Sequence, residues 1–182
     1  MSTARKPKAP ASRGIDRHWH LAKTDTEVGL TELEFAIFRV SAAFERWQAD
    51  CLGCCHGQSF SGTDTALLHV VRMHERPKSI SELGRLLKRD DLSNVQYSVR
   101  KLLKAGLIER ARGGGKKDAT YQVSQKGREV TTQYAQFRRE LLISMIESTG
   151  GKLDFSAVAQ ALTMMSALYD QASSVAATHR IP

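Results

Sequence analysis

The sequence is poor in several things, and each absence narrows what the chain can be. No apolar run approaches the roughly 18 residues that a membrane span needs, so no membrane segment is expected in its 182 residues. Cysteine is scarce: Cys51, Cys54 and Cys55 are the only three, packed too closely for a disulfide framework. Residues 1–14 are rich in Ser, Lys, Arg and Pro and lack the apolar stretch of a secretory leader. A cytoplasmic location is therefore expected. Catalytic signatures are missing too. There is no Ser/His/Asp order, no spaced carboxylate pair beside a glycine loop, no HExxH and no P-loop pattern. Neither an enzyme nor a cofactor is expected. Acids are outnumbered, 19 against 27 Lys and Arg, for a net charge of +8 and a pI near 9.6. That balance favours an anionic partner, nucleic acid before a membrane surface.

The basic excess is concentrated. Between Arg85 and Lys117 ten Lys and Arg face three acids, a net +7 in 33 residues. Phosphate neutralisation requires such clustering, and solubility does not. The same stretch opens as a helix. Leu92, Val95, Val99, Leu102 and Leu103 form one apolar stripe, Asp90 or Asp91 is placed to cap the start, and Gly106 sits where a left-handed residue ends a helix. At about 100° per residue, the opposite side carries Ser93, Asn94, Tyr97 and Lys101, flanked by Arg100 and Lys104. Amide, hydroxyl, phenol and cation on one face suit a helix in a DNA major groove. Ser93, Asn94 and Tyr97, with Gln96 at the edge, are the candidate base readers. Arg100, Lys101 and Lys104 are the candidate phosphate contacts.

What flanks this helix completes a motif. Leu107–Arg112 and Ala119–Val123 read as strands around a Gly113–Asp118 tip. Before it, Ser79 with Glu82 fits a capping box, with Ser81 as a competing cap and Leu83, Leu86 and Leu87 as the core side. Two short helices joined by a tight turn, then a hairpin, make a winged helix-turn-helix.

Longer helices lie on both sides. Thr31 opens one that runs to about Leu52, and Leu30, Leu33, Ile37, Val40, Phe44, Trp47 and Cys51 step 3, 4, 3, 4, 3, 4 along it. A seam that regular wants a partner helix. Ser61 or Thr63 caps the next, to Glu75, and Pro77 ends it. Ser124 caps a long helix to about Ser148, with Val130, Tyr134, Phe137, Leu141 and Met145 as its stripe. Gly150-Gly151 breaks it before a final helix, Phe155 to Val175, striped by Phe155, Val158, Leu162, Met165 and Tyr169. Residues 1–14 cannot bury enough apolar surface to offset ordering entropy. They form a basic tail that either solubilises or adds non-specific DNA affinity.

Cys51, Cys54, Cys55 and His56 admit three readings: a metal site, a thiol sensor, or a helix end in which Cys51 completes the apolar seam. Ligands within six residues wrap one ion with difficulty.

The order of elements, with the runs Gly106-Leu-Ile-Glu-Arg110 and Val123-Ser-Gln-Lys-Gly127, resembles the MarR family of winged-helix transcription regulators over about residues 30–175. The resemblance implies a mainly α fold with a small β-wing, a winged helix-turn-helix flanked by long N- and C-terminal dimerisation helices. Its parts would be a tail at 1–14, an N-terminal dimerisation segment at 15–60, the DNA-binding domain at 61–123 and C-terminal dimerisation helices at 124–182. The partners implied are double-stranded DNA, through a pseudo-palindromic operator, a second copy of the chain, and a small-molecule effector whose pocket has no signature here. Leu33, Ile37, Val40, Phe44, Trp47, Leu141, Leu162 and Met165 would form the dimer seam. The wing departs from the family's Asp-x-Arg pattern: Glu109-Arg110-Ala111-Arg112 leads into three glycines. Wing contact therefore falls to Arg112, Lys116 and Lys117. The alternatives are a thiol- or metal-responsive sensor built on Cys51–His56, or a winged helix used for protein–protein contact.

Overall fold

The computed structural model describes residues 20–111, 119–150 and 153–179. Two compact units divide the chain, Met1–Arg138 and Arg139–Pro182. The first long helix packs with the winged helix because its C-terminal end supplies part of that core.

In the first unit, α1 (Asp25–His56) begins six residues before the expected Thr31. The stronger start signal is the capping box of Thr24 and Glu27. Glu27 N donates to Thr24 Oγ1 at 3.2 Å, and Thr24 N donates to Glu27 Oε2 at 2.7 Å. Thr31 is buried inside the helix, and its hydroxyl donates to Leu21 O at 3.2 Å. Helix α2 (Gly62–Arg72) is capped by Ser61 and Asp64 in the same reciprocal way, and it buries Leu67, Leu68 and Val71.

A short 3₁₀ turn, Met73–Glu75, follows, with His74 and Glu75 at φ 62° and 49°. The carbonyls left free at the end of α2 need donors, and Lys78 supplies them. Its fully buried Nζ donates to Val71 O and Arg76 O, both at 3.1 Å, and to Met73 O. Lys78 opens β1 (Lys78–Ser79), a strand absent from the sequence reading. It pairs with β3 (Thr120–Val123), which pairs in turn with β2 (Ile108–Arg110), for the sheet order β1-β3-β2. Register sets Ile108 opposite Val123 and Lys78 opposite Tyr121, both antiparallel.

Helix α3 (Ile80–Leu86) is capped by Ser79, and α4 (Leu92–Lys104) follows after a tight turn. Leu86, expected in the core, is 39% exposed, and Leu83 carries that face. Gly84 makes the turn possible. A Cβ there would lie 2.6 Å from Leu92 Cδ2 and 3.1 Å from Arg89 O, so a side chain at this position would crowd the turn. Gly106 holds φ 72°, as its position after α4 requires.

Ser124 opens α5 (Gln125–Phe137), receiving Gly127 N at 3.0 Å and donating to Gly106 O at 2.6 Å. Val130 and Tyr134, read from sequence as part of a seam needing a partner, are buried in this unit, and Trp47 meets Tyr134 edge-on at 6.5 Å between centroids. Trp47 therefore belongs to the core of its own chain, where α1 and α5 cross. Arg72 ties α2 to α5 by donating to Arg128 O and to the Thr131 and Thr132 hydroxyls. The helix expected to run unbroken to Ser148 instead passes through a π-helical turn, Arg138–Ile143, into α6 (Ser144–Ser148).

In the second unit, Asp154 caps α7 (Phe155–Thr178), accepting from Ala157 N at 3.0 Å. No residue of α7 is buried. Among the described residues no helix is long and apolar enough to cross a membrane.

Gly127 explains part of the run Val123-Ser-Gln-Lys-Gly127. A Cβ there would sit 2.0 Å from Leu107 O and 2.8 Å from Val123 Cγ2, where α5 leaves the sheet. Backbone cannot yield as a side-chain tip does. Gly127→Ala is expected to lower stability by about 3 kcal/mol, read as a lower urea midpoint. An unchanged midpoint would refute the close approach.

Candidate nucleic-acid interface

The interface is built on α4. Its inner side packs into the core: Val95, Val99 and Leu102 are buried, and so is Ser98. Leu92, placed by sequence in the same stripe, is 39% exposed because it lies in the first turn beside Gly84. The outer side presents Ser93, Asn94, Gln96, Tyr97, Arg100 and Lys104, all exposed, with Tyr97 at 61%. One helix thus divides into a buried apolar half and an exposed polar half, as the spacing implied.

Asp91 starts the helix. Its Oδ1 accepts from Ser93 N at 3.0 Å, Asn94 N at 3.2 Å and Ser93 Oγ at 2.6 Å, while Oδ2 accepts from Asn94 Nδ2 at 2.5 Å. The Ser93 hydroxyl and the backbone donors hold the Asp91 carboxyl below the usual carboxylate range.

Lys101 departs from its expected place. Rather than standing outward, its Nζ pairs with Asp64 Oδ2 at 2.6 Å and lies 5.1 Å from the centroid of the Phe60 ring. Its side chain is 35% exposed and that of Asp64 only 3%. The reason is the start of α2: the aspartate that completes its capping box faces α4, and the buried carboxylate needs a cation. Burial alone would push the Asp64 carboxyl up. The Lys101 ammonium, with Ser98 and Ser61, outweighs it and holds the carboxyl below the ordinary range. The capping pattern Ser61-x-x-Asp64 was legible in the sequence, but nothing there links Asp64 to a lysine 37 positions later.

Further cations lie at the turn before α4. Arg85, Lys88 and Arg89 line a surface hollow together with Ser81, Gly84 and Asp90, and Arg89 Nη2 donates to Thr63 Oγ1 at 3.1 Å. They entered the sequence reading only through the charge count. Arg110 is exposed on β2, and Ala111 N donates to Thr120 O at 2.9 Å where the hairpin opens. Arg112, Lys116 and Lys117 lie outside the described residues.

No three His, Cys, Asp or Glu side chains converge on a common point among the described residues. One turn of α1 sets Cys51 and Cys55 side by side with a hydrogen bond between their side chains, while Cys54 is exposed and the His56 ring packs edge-on against Phe60 at 5.3 Å. Burial pushes the Cys51 thiol up to about 11 and raises that of Cys55. The thiolate is the reactive form, and burial disfavours it at both.

Of the remaining seam residues, Val40 and Phe44 are 62% and 57% exposed, and Leu33 and Ile37 are half-buried. Leu141 and Leu162 are 46% and 42% exposed, and Met165 is half-buried.

This geometry has known counterparts. Residues 60–127 match the model of a winged helix DNA-binding domain. Solved structures share the fold over much of the chain. RV1404 from Mycobacterium tuberculosis superposes with a TM-score of 0.60 at 18% identity, over 76% of this chain and 94% of that one. A MarR variant from E. coli complexed with operator DNA gives 0.58 at 17%, over 80% and 99%. The M. tuberculosis regulator MOSR in complex with DNA gives 0.58 at 14%, over 76% and 96%. No curated protein matches in sequence. The chain therefore carries a winged helix DNA-binding domain. The fold around that domain is the one seen in MarR-type transcription regulators, as the sequence resemblance implied.

Breaking a buried pair costs about 3–5 kcal/mol, and the partial exposure of Lys101 screens part of that. Asp64→Asn should therefore destabilise the protein by about 2 kcal/mol at pH 7. A carboxyl held low in the folded state stabilises above its unfolded pKa and loses that contribution as pH falls through the folded value. The gap between wild type and Asp64→Asn in chemical denaturation should thus close below about pH 4. A gap that is constant with pH would contradict the pairing.

Proposed function

We propose that the protein is a homodimeric, sequence-specific transcription regulator of the MarR type that places α4 in the major groove of double-stranded DNA. The observation that carries this reading is the exposed face of α4. Six polar or cationic side chains stand on a helix whose other half is fixed in the core. Ser93, Asn94, Gln96 and Tyr97 read base edges. Arg100 and Lys104 hold phosphates, joined by the wing cations Arg112, Lys116 and Lys117. Lys101 orients α4 through Asp64 and is withdrawn from the phosphate set.

Dimerisation is supported by apolar surface that the single chain leaves open. On α1, Phe38, Val40 and Phe44 are more than half exposed, and on α7 Phe155 and Met164 are as well. Apolar side chains at helical spacing along a helix with no buried residue call for a partner. A second copy supplies one and gives the two-fold symmetry that places half-sites about one helical turn apart.

Selection of bound DNA from a random pool tests the reading. A recurring inverted repeat is expected, with binding that weakens steeply as salt rises. Asn94→Ala should cost about 1–3 kcal/mol on the recovered site and little on random DNA. Equal loss on both, or no recurring repeat, would overturn the assignment.

A further inference from the structure

The hydrogen bonds around Asp91 constrain what α4 can read. An ionised carboxylate only accepts, so each group bonded to it must be donating. The Ser93 hydroxyl therefore gives its single proton to Asp91, and Asn94 gives one of its two amide protons. With Ser93 N and Asn94 N also donating, Oδ1 of Asp91 takes three donors and Oδ2 takes one. Three consequences follow. Ser93 faces outward with acceptor lone pairs and no proton to give. Asn94 keeps its Oδ1 acceptor and one N–H. The first free backbone N–H groups of α4, which would otherwise attract a phosphate, are already occupied by a negative charge.

Base edges in the major groove differ in what they offer. Adenine and cytosine present an amino donor, N6 or N4, whereas guanine offers N7 and O6 and thymine offers O4, all acceptors. A tip that presents mainly acceptors meets an amino group well and guanine or thymine badly. The remaining pair on Asn94, one acceptor beside one donor, matches adenine N6 and N7 together.

Resting on the DNA-binding reading above, we propose that Asp91 is a specificity-determining residue: by taking the protons of Ser93 and Asn94 it restricts the tip of α4 to bases bearing a major-groove amino group, adenine first. It acts through its neighbours and is a positioning residue rather than a base contact. Ordinary capping does not have this effect. Serine caps a helix about as well as aspartate but cannot accept all four donors.

The test is pool selection with the full-length protein and four variants. Ser93→Ala and Asn94→Ala identify the operator positions that each side chain reads, as those where base preference changes. At the Asn94-dependent position wild type should favour adenine over guanine by at least about tenfold, and at the Ser93-dependent position adenine or cytosine. Asp91→Ser and Asp91→Asn, both competent helix caps, should keep the thermal midpoint. At the Asn94-dependent position both should lose about tenfold of the preference, and at the Ser93-dependent position Asp91→Ser should lose it as well. Guanine or thymine selected by wild type there would overturn the proposal. So would a preference that survives both Asp91 variants, or a repeat that neither Ser93→Ala nor Asn94→Ala alters. Enrichment of no sequence at all would instead sink the DNA-binding reading on which it rests.

Discussion

The structure depends on one helix being held hard on one side and left open on the other. Burial of Val95, Val99 and Leu102 fixes the depth of α4 in the winged helix, and apolar burial is non-directional. With apolar residues on one side only, burial turns that side inward, and a directional contact fixes it further. The Asp64–Lys101 pair is directional. It joins the first turn of α2 to the last turn of α4, and Asp64 is nearly sealed from water. A capping aspartate at one helix thereby becomes an anchor for another, and the outer face of α4 inherits its orientation from that anchor.

Local signals with short reach were legible in the sequence. The caps at Ser61, Ser79, Asp91 and Ser124, the left-handed Gly106 and the two faces of α4 all follow from residues within a turn of one another. The helix–turn–helix–wing order followed from these and from spacing alone. Contacts made over distance in the chain were not legible. Nothing near Lys78 in the chain marks it for burial, yet three backbone carbonyls converge on it. Lys101 looked like a surface cation, because Asp64 is its neighbour only after folding. Trp47 extended the heptad spacing of α1 perfectly well, but α5 reaches it first. Periodicity tells which side of a helix is apolar, and it does not tell whether the same chain or another one covers it.

The cysteines illustrate the same division. A cluster of three thiols and an imidazole suggests chemistry when written as a string. On a helix, consecutive residues point in different directions, so Cys51 enters the core, Cys54 faces water and His56 meets Phe60. Burial then keeps the Cys51 proton in place.

Tyrosine labelling tests the central claim most directly. The chain has four tyrosines. Tyr121 and Tyr134 are buried, Tyr97 stands exposed in the middle of the α4 face, and Tyr169 lies at the exposure boundary on α7. Oxidative footprinting read by mass spectrometry, with and without a selected DNA site, should find Tyr97 modified readily in the free protein. Tyr97 should be strongly protected in the complex while Tyr169 is unchanged. Tyr97 labelled equally in both states, with DNA bound, would mean that another surface meets the nucleic acid.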